Sequence, residues 1–74
     1  MKTLDTVRAK TSVTIKSLRH LEAGYRRQLQ VMGVIPGATI TVVRSAPLGD
    51  PMQVQVNNTD LGLRKREAAL IEVI

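Results

Sequence analysis

Val13 and Ile15 alternate with Thr14 and Lys16, a period-two pattern that predicts a first strand over about Ser12 to Leu18. Leu21, Tyr25, Leu29 and Met32 recur instead at helical spacing. They predict one helix over about Ala23 to Met32, with that stripe buried and Arg26, Arg27 and Gln30 on the far side. Gly24 fits the first turn, since a glycine inside a helix costs up to about 1 kcal/mol. Gly33 ends the helix, because glycine takes the left-handed C′ position without a Cβ penalty. Pro36-Gly37 then suits a type II turn. Ile40 to Arg44 reads as a second strand, apolar on both faces, and Ala46 to Pro51 as a stiff loop. Met52, Val54 and Val56 alternate with Gln53, Gln55 and Asn57 in a third strand. Asn57 to Asp60 is a turn signal. Leu61 and Leu63 begin a return strand, Arg64 to Ala69 makes a helical turn, and Ile71 and Val73 flank Glu72 in a last short strand. At the start, Asp5 is expected to cap one short turn through Val7.

Five short strands without a βαβ rhythm imply no parallel sheet. Closing such strands hides their edges and lets a short chain share one core. The expectation is a mainly β protein: a small SH3-like antiparallel β-barrel of about five strands, with one helix and a short helical turn. Residues 1–74 form a single domain.

Composition narrows the function more than the fold. There are no cysteines among the 74 residues, which excludes disulfides and thiolate metal sites. No apolar run approaches the roughly 18 residues of a membrane span, and the start is not a signal peptide. A cytoplasmic protein is expected. The net charge of +5 permits an acidic protein, nucleic acid or an anionic membrane as partner. Tyr25 is the one aromatic residue. That weakens single-stranded nucleic acid, whose bases stack on aromatic side chains, and proline-rich peptides, whose grooves aromatics line.

Catalytic chemistry is scarce. His20 is the single histidine, with no cysteine or acid pair beside it in sequence, and reads as a surface residue. Asp5, Glu22, Asp50, Asp60, Glu67 and Glu72 stand singly, so no intrinsic metal site and no cofactor are expected. The stretch GVIPG lacks the lysine and spacing of a Walker motif. Arg26-Arg27 and Arg64-Lys65-Arg66 are the basic clusters. Tyr25 reads as a half-buried ring with its hydroxyl at the surface, Asp50 as an acceptor for backbone N–H groups in its loop. Leu48, between Pro47 and Gly49, is either an apolar tip that docks a partner or a residue tucked into the core.

Taken together, Tyr25-Arg26, Leu29, Met32-Gly33, Pro36-Gly37, Ala46-Pro47-Leu48-Gly49-Asp50-Pro51, Leu63-Arg64-Lys65 and Ala69-Leu70-Ile71-Glu72-Val73 resemble the FeoA family. The likeness runs from Leu4 to Val73. One departure precedes the first strand, where the family often has glycine and this chain has Lys10-Thr11. The resemblance implies an SH3-like, non-catalytic accessory protein of bacterial ferrous iron transport, a family to which transition-metal binding is also attached. Its implied partner is FeoB, a membrane transporter with a cytosolic GTP-binding domain, which would bring the protein to the inner face of the membrane.

The expected partner-binding residues are Tyr25, Arg26, Arg27, Pro47, Leu48 and Asp50. Regulation of GTP hydrolysis is a further reading, with Arg26 or Arg44 acting as an arginine finger. Two alternatives come from other classes. One is a small basic nucleic-acid-binding barrel. The other is a self-associating subunit that pairs its C-terminal strand, Leu70 to Ile74, across a dimer.

Overall fold

The computed structural model describes residues 2–45 and 50–74. A 3-10 turn, Leu4–Thr6, leads into β1 (Thr11–Ser17), α1 (Ala23–Val31), β2 (Thr39–Ser45), β3 (Met52–Val56), β4 (Thr59–Leu63), α2 (Lys65–Ala68) and β5 (Glu72–Val73). The five strands form one antiparallel sheet in the order β4-β3-β2-β1-β5, the mainly β architecture expected from the pattern. Val13, Ile15, Ile40, Val42, Val54 and Val56 face a common core with Leu29, Leu63 and Ile71.

β1 serves two partners. Its first half, Thr11 to Thr14, pairs with β2, and its second half, Ile15 to Ser17, pairs with β5 across a register shift. An irregularity of this kind bends a strand and increases its twist. A second shift lies between Val42 and Arg44, where β2 meets β3. It leaves Val43 extra to the ladder and 43% exposed. The two apolar faces read for β2 are thus one buried face, Ile40 and Val42, and one bulged-out valine.

The end of α1 corrects the predicted stripe. Gly33, at φ +95°, is the left-handed C′ residue. Its N–H bonds the Gln30 carbonyl at 3.0 Å and that of Val34 bonds the Leu29 carbonyl at 3.0 Å. This pair of bonds is a Schellman motif, which swings the residue after glycine back over the helix. Val34 therefore joins Leu29 in the core, whereas Met32 is 38% exposed. Pro36-Gly37 forms the expected turn: the Ala38 N–H bonds the Ile35 carbonyl at 3.0 Å, with Gly37 at φ +92°. The same turn is pinned to β1, since the Gly37 N–H bonds the Ile15 carbonyl and the Ile15 N–H bonds that of Ala38.

Asn57 and Asn58, both at positive φ, make a two-residue hairpin turn. β4 accordingly starts at Thr59, earlier than read from Leu61. At the other end of the chain, Asp5 does not cap. It lies inside the 3-10 turn and accepts a hydrogen bond from the Thr3 hydroxyl. The segment Lys2 to Leu4 runs along β5: Thr3 bridges Glu72, the Leu4 N–H bonds the Ile71 carbonyl and the Val73 N–H bonds that of Lys2, both at 3.0 Å. With β1 on one side and this segment on the other, the C-terminal strand is not a free edge.

Candidate partner-binding surface

Glu22 starts α1 and supplies a cap that the pattern did not reveal. Its carboxylate accepts the Gly24 N–H at 2.8 Å and the Tyr25 N–H at 3.0 Å. Those two bonds hold its pKa below the usual carboxylate value. Gly24 sits in the first turn, as expected. Arg26 is half-buried and Arg27 exposed on the same helix.

The Tyr25 ring is half-buried against the core, as read, and its O–H donates to Glu67 Oε1 at 3.1 Å, a partner the sequence did not reveal. Burial, followed by this hydrogen bond and the Glu67 charge, pushes the phenol up to about 12. The same Glu67 oxygen accepts the Arg64 N–H at 3.1 Å, which ties the start of α2 to α1. Asp50 accepts a backbone N–H, as expected, but the donor is Lys65, at 2.9 Å and 15 residues on in α2, not a group of its own loop. Tyr25 and Asp50, 25 residues apart in sequence, therefore both anchor the first turn of α2. That turn carries Arg64-Lys65-Arg66, all exposed, so the fold brings the second basic cluster to residues read as part of the site. Pro47 and Leu48 lie outside the described residues.

His20 is an exposed residue, yet not isolated. Its Nε2 is 3.2 Å from Glu72 Oε1, and Arg19 Nε is 3.2 Å from the same atom. Glu72 is 3% exposed, and neither neighbour meets this oxygen with hydrogen-bond geometry. No sequence signal pairs residues 52 positions apart; the register of β5 on β1, which sets Glu72 opposite Ser17, brings them together. Arg44 borders a shallow depression of about 210 Å³ with Val43, Gln53, Val54 and Asp60. Among the described residues no three His, Cys, Asp or Glu side chains cluster as a metal site would require. Nor is any described helix long and apolar enough to cross a membrane.

Charge is divided unevenly between the inside and the outside of the contact network. All six carboxylates are engaged: Asp5 with Thr3, Glu22 with its helix N-terminus, Asp50 with Lys65 N, Asp60 with Gln55 Nε2, Glu67 with Tyr25 and Arg64 N, and Glu72 with Arg19 and His20. Of the eleven Lys and Arg side chains, only Arg19 meets a carboxylate within 4 Å among the described residues.

The FeoA domain family matches residues 2–74. A curated relative, the Fe(2+) transport protein A/Fe(2+) transporter FeoB fusion protein of Porphyromonas gingivalis, is 43% identical over 49 residues. That match takes in 66% of this chain but only 6% of the relative's length. The solution structure of the Chlorobium tepidum FeoA protein superposes with a TM-score of 0.92 at 36% identity, covering 97% of this chain and 68% of that one. Stenotrophomonas maltophilia FeoA, solved in complex with zinc as a prokaryotic SH3 domain protein and a candidate ferrous iron transport activating factor, gives 0.86 at 31% identity. There the coverage is 100% of this chain and 91% of that one.

Proposed function

This chain belongs to the FeoA family, and on that premise we propose that it is a non-catalytic accessory module that binds the FeoB transporter of ferrous iron uptake. The observation that carries the reading is the Porphyromonas gingivalis relative, in which a segment 43% identical to this chain shares one polypeptide with FeoB. Joining two modules in one chain makes their encounter intramolecular, an arrangement that favours two proteins already acting together. The SH3-like fold of the family agrees with an interaction module.

The contact surface is assigned to α1 and α2 with the loop between β2 and β3. Tyr25 and Asp50 hold the framework, Arg26 and Arg27 orient the partner, and the apolar anchor is assigned to Leu48 from the sequence alone, since Pro47 and Leu48 lie outside the described residues. Charges on a rim steer association, and a buried apolar anchor supplies affinity. Ferrous iron in this reading is the transporter's cargo, not a ligand of this chain.

The test is retention of detergent-extracted FeoB from the same organism on tagged protein, with and without guanine nucleotide. Retention is the expected result, and dependence on nucleotide would locate the contact near the GTP-binding domain. Failure of folded protein to retain intact FeoB overturns the reading.

A further inference from the structure

We propose that the C-terminal half of α1 and the turn after it form the docking face, and that its occupant is an acidic segment of the transporter: an apolar side chain flanked by carboxylates. The inference rests on the FeoB-binding reading above and goes beyond it by naming the partner's chemistry. Three observations carry it.

The first is exposed apolar surface. Val31 is 83% exposed, Met32 38% and Ile35 46%. The Schellman turn produces this cluster by sending Val34 inward and leaving the residues on either side outside. Chain length alone keeps Ile35 within about 11 Å of Met32. The second is charge. Arg27 lies one helical turn before Val31 and therefore beside it on the helix surface. Arg26 precedes it, and from Ala23 to Gly49 the sequence holds no acidic residue at all. The third is how little of this charge is compensated internally. Neither arginine meets a carboxylate within 4 Å among the described residues. The Arg26 charge reaches only as far as Glu22, whose carboxylate is held by the Gly24 and Tyr25 N–H groups, and no carboxylate pairs with Arg27 among the described residues. An unpaired guanidinium beside exposed aliphatic side chains is complementary to carboxylates around an apolar one.

A lipid surface and a nucleic acid share part of this chemistry and are less well matched. Interfacial membrane contacts favour Trp and Tyr anchors. The chain has no Trp, and its one Tyr is committed to Glu67. Base stacking needs aromatics for the same reason.

The experiment measures affinity of the full chain for purified FeoB at low and high salt, for wild type and three variants. Val31→Asp and Arg27→Glu are each expected to weaken binding about tenfold or more, the scale of an interface residue that matters. Wild-type binding should weaken with salt, and that dependence should flatten in Arg27→Glu. Val43→Asp, an exposed apolar site on the sheet, should bind as wild type; circular dichroism confirms that each variant is folded. If wild type does not bind FeoB, the functional reading itself fails. If wild type binds and Val31→Asp and Arg27→Glu bind equally well, the docking face is refuted while the functional reading stands. Equal losses on anionic phosphatidylglycerol vesicles, or on single-stranded RNA in place of the transporter, would overturn the acidic-segment assignment.

Discussion

Removing one oxygen, in Tyr25→Phe, separates the bond between α1 and α2 from the packing around it. The Tyr25 hydroxyl donates to Glu67 Oε1 at 3.1 Å while the ring packs against the core. A hydrogen bond to a charged group contributes about 1.5–3 kcal/mol when well desolvated. Here the ring is half-buried, and Glu67 keeps the Arg64 N–H as a donor. The expected loss at pH 7 is therefore about 1 kcal/mol, or about 4–8 °C in Tm for a domain of this size. The pH dependence is the sharper signature. The folded phenol titrates near 12, against 10.0 for an unperturbed tyrosine. The folded state thus binds this proton more tightly than the unfolded chain does. Its contribution is whole below pH 10 and is lost as pH rises from about 10 to about 12. Two pH units correspond to about 2.7 kcal/mol, which solvent screening at a partly exposed site reduces to about 1–2 kcal/mol. Urea unfolding of both proteins at pH 7, 9, 10 and 11, followed by far-ultraviolet circular dichroism, isolates the effect, because lysine titration is common to both. The wild-type advantage should shrink between pH 10 and 11. Parallel stability curves through that interval would refute the coupling, and equal stability at pH 7 would refute the bond.

Three further outcomes follow from the backbone and the buried carboxylate. Lys10 holds φ 66°, so Lys10→Gly, the residue the family often has near this point, should stabilise by about 0.5–1 kcal/mol in urea titrations; a loss of stability would show that the Lys10 side chain contributes more than its backbone strain costs. Gly37→Ala meets open space and should cost only the left-handed penalty of about 1 kcal/mol, and Gly33→Ala should cost about the same, because the atom its Cβ would meet is the end of the exposed Asn57 side chain, which can rotate away. A markedly larger loss at Gly33 than at Gly37 in urea titrations would show that Asn57 is held in place. Glu72→Gln should change stability by less than about 1 kcal/mol, because its buried Oε1 has no aligned donor to lose. The pair Arg19→Ala and His20→Ala together should cost about 1–3 kcal/mol by leaving a buried carboxylate alone; the reverse order in chemical denaturation would mean the Glu72 charge is itself stabilising.

Much of the fold is local information, and particular residues show why. Val13 and Ile15, or Met52, Val54 and Val56, need only a pleated backbone to point the same way, so alternation alone places them. Pro36 fixes its own φ, and Gly33 and Gly37 take the positive φ that residues with a Cβ avoid, so each ends or turns the chain by its own chemistry. Asn57-Asn58 does the same for the hairpin. The motif set that identifies the family is equally local, since it consists of those turn residues and the apolar positions between them.

What the sequence could not place depends on contacts between segments far apart along the chain. Met32 satisfies the helical period as well as Leu29 does, but the dihedral at Gly33 hands the core position to Val34. Val43 reads as interior in a strand that has no bulge, and only the pairing of β2 with β3 creates one. The hydroxyl of Tyr25 reaches Glu67 and the carboxylate of Asp50 reaches the Lys65 N–H because α2 lies between α1 and the end of the β2–β3 connection. Glu72 finds Arg19 and His20 through strand register. The amino-acid sequence by itself determined the elements, the turns and the family. The tertiary structure decided which carboxylates are used internally and so which cations remain free on the surface, because a charge is compensated by whatever lies within a few ångströms in space, and only folding sets that distance.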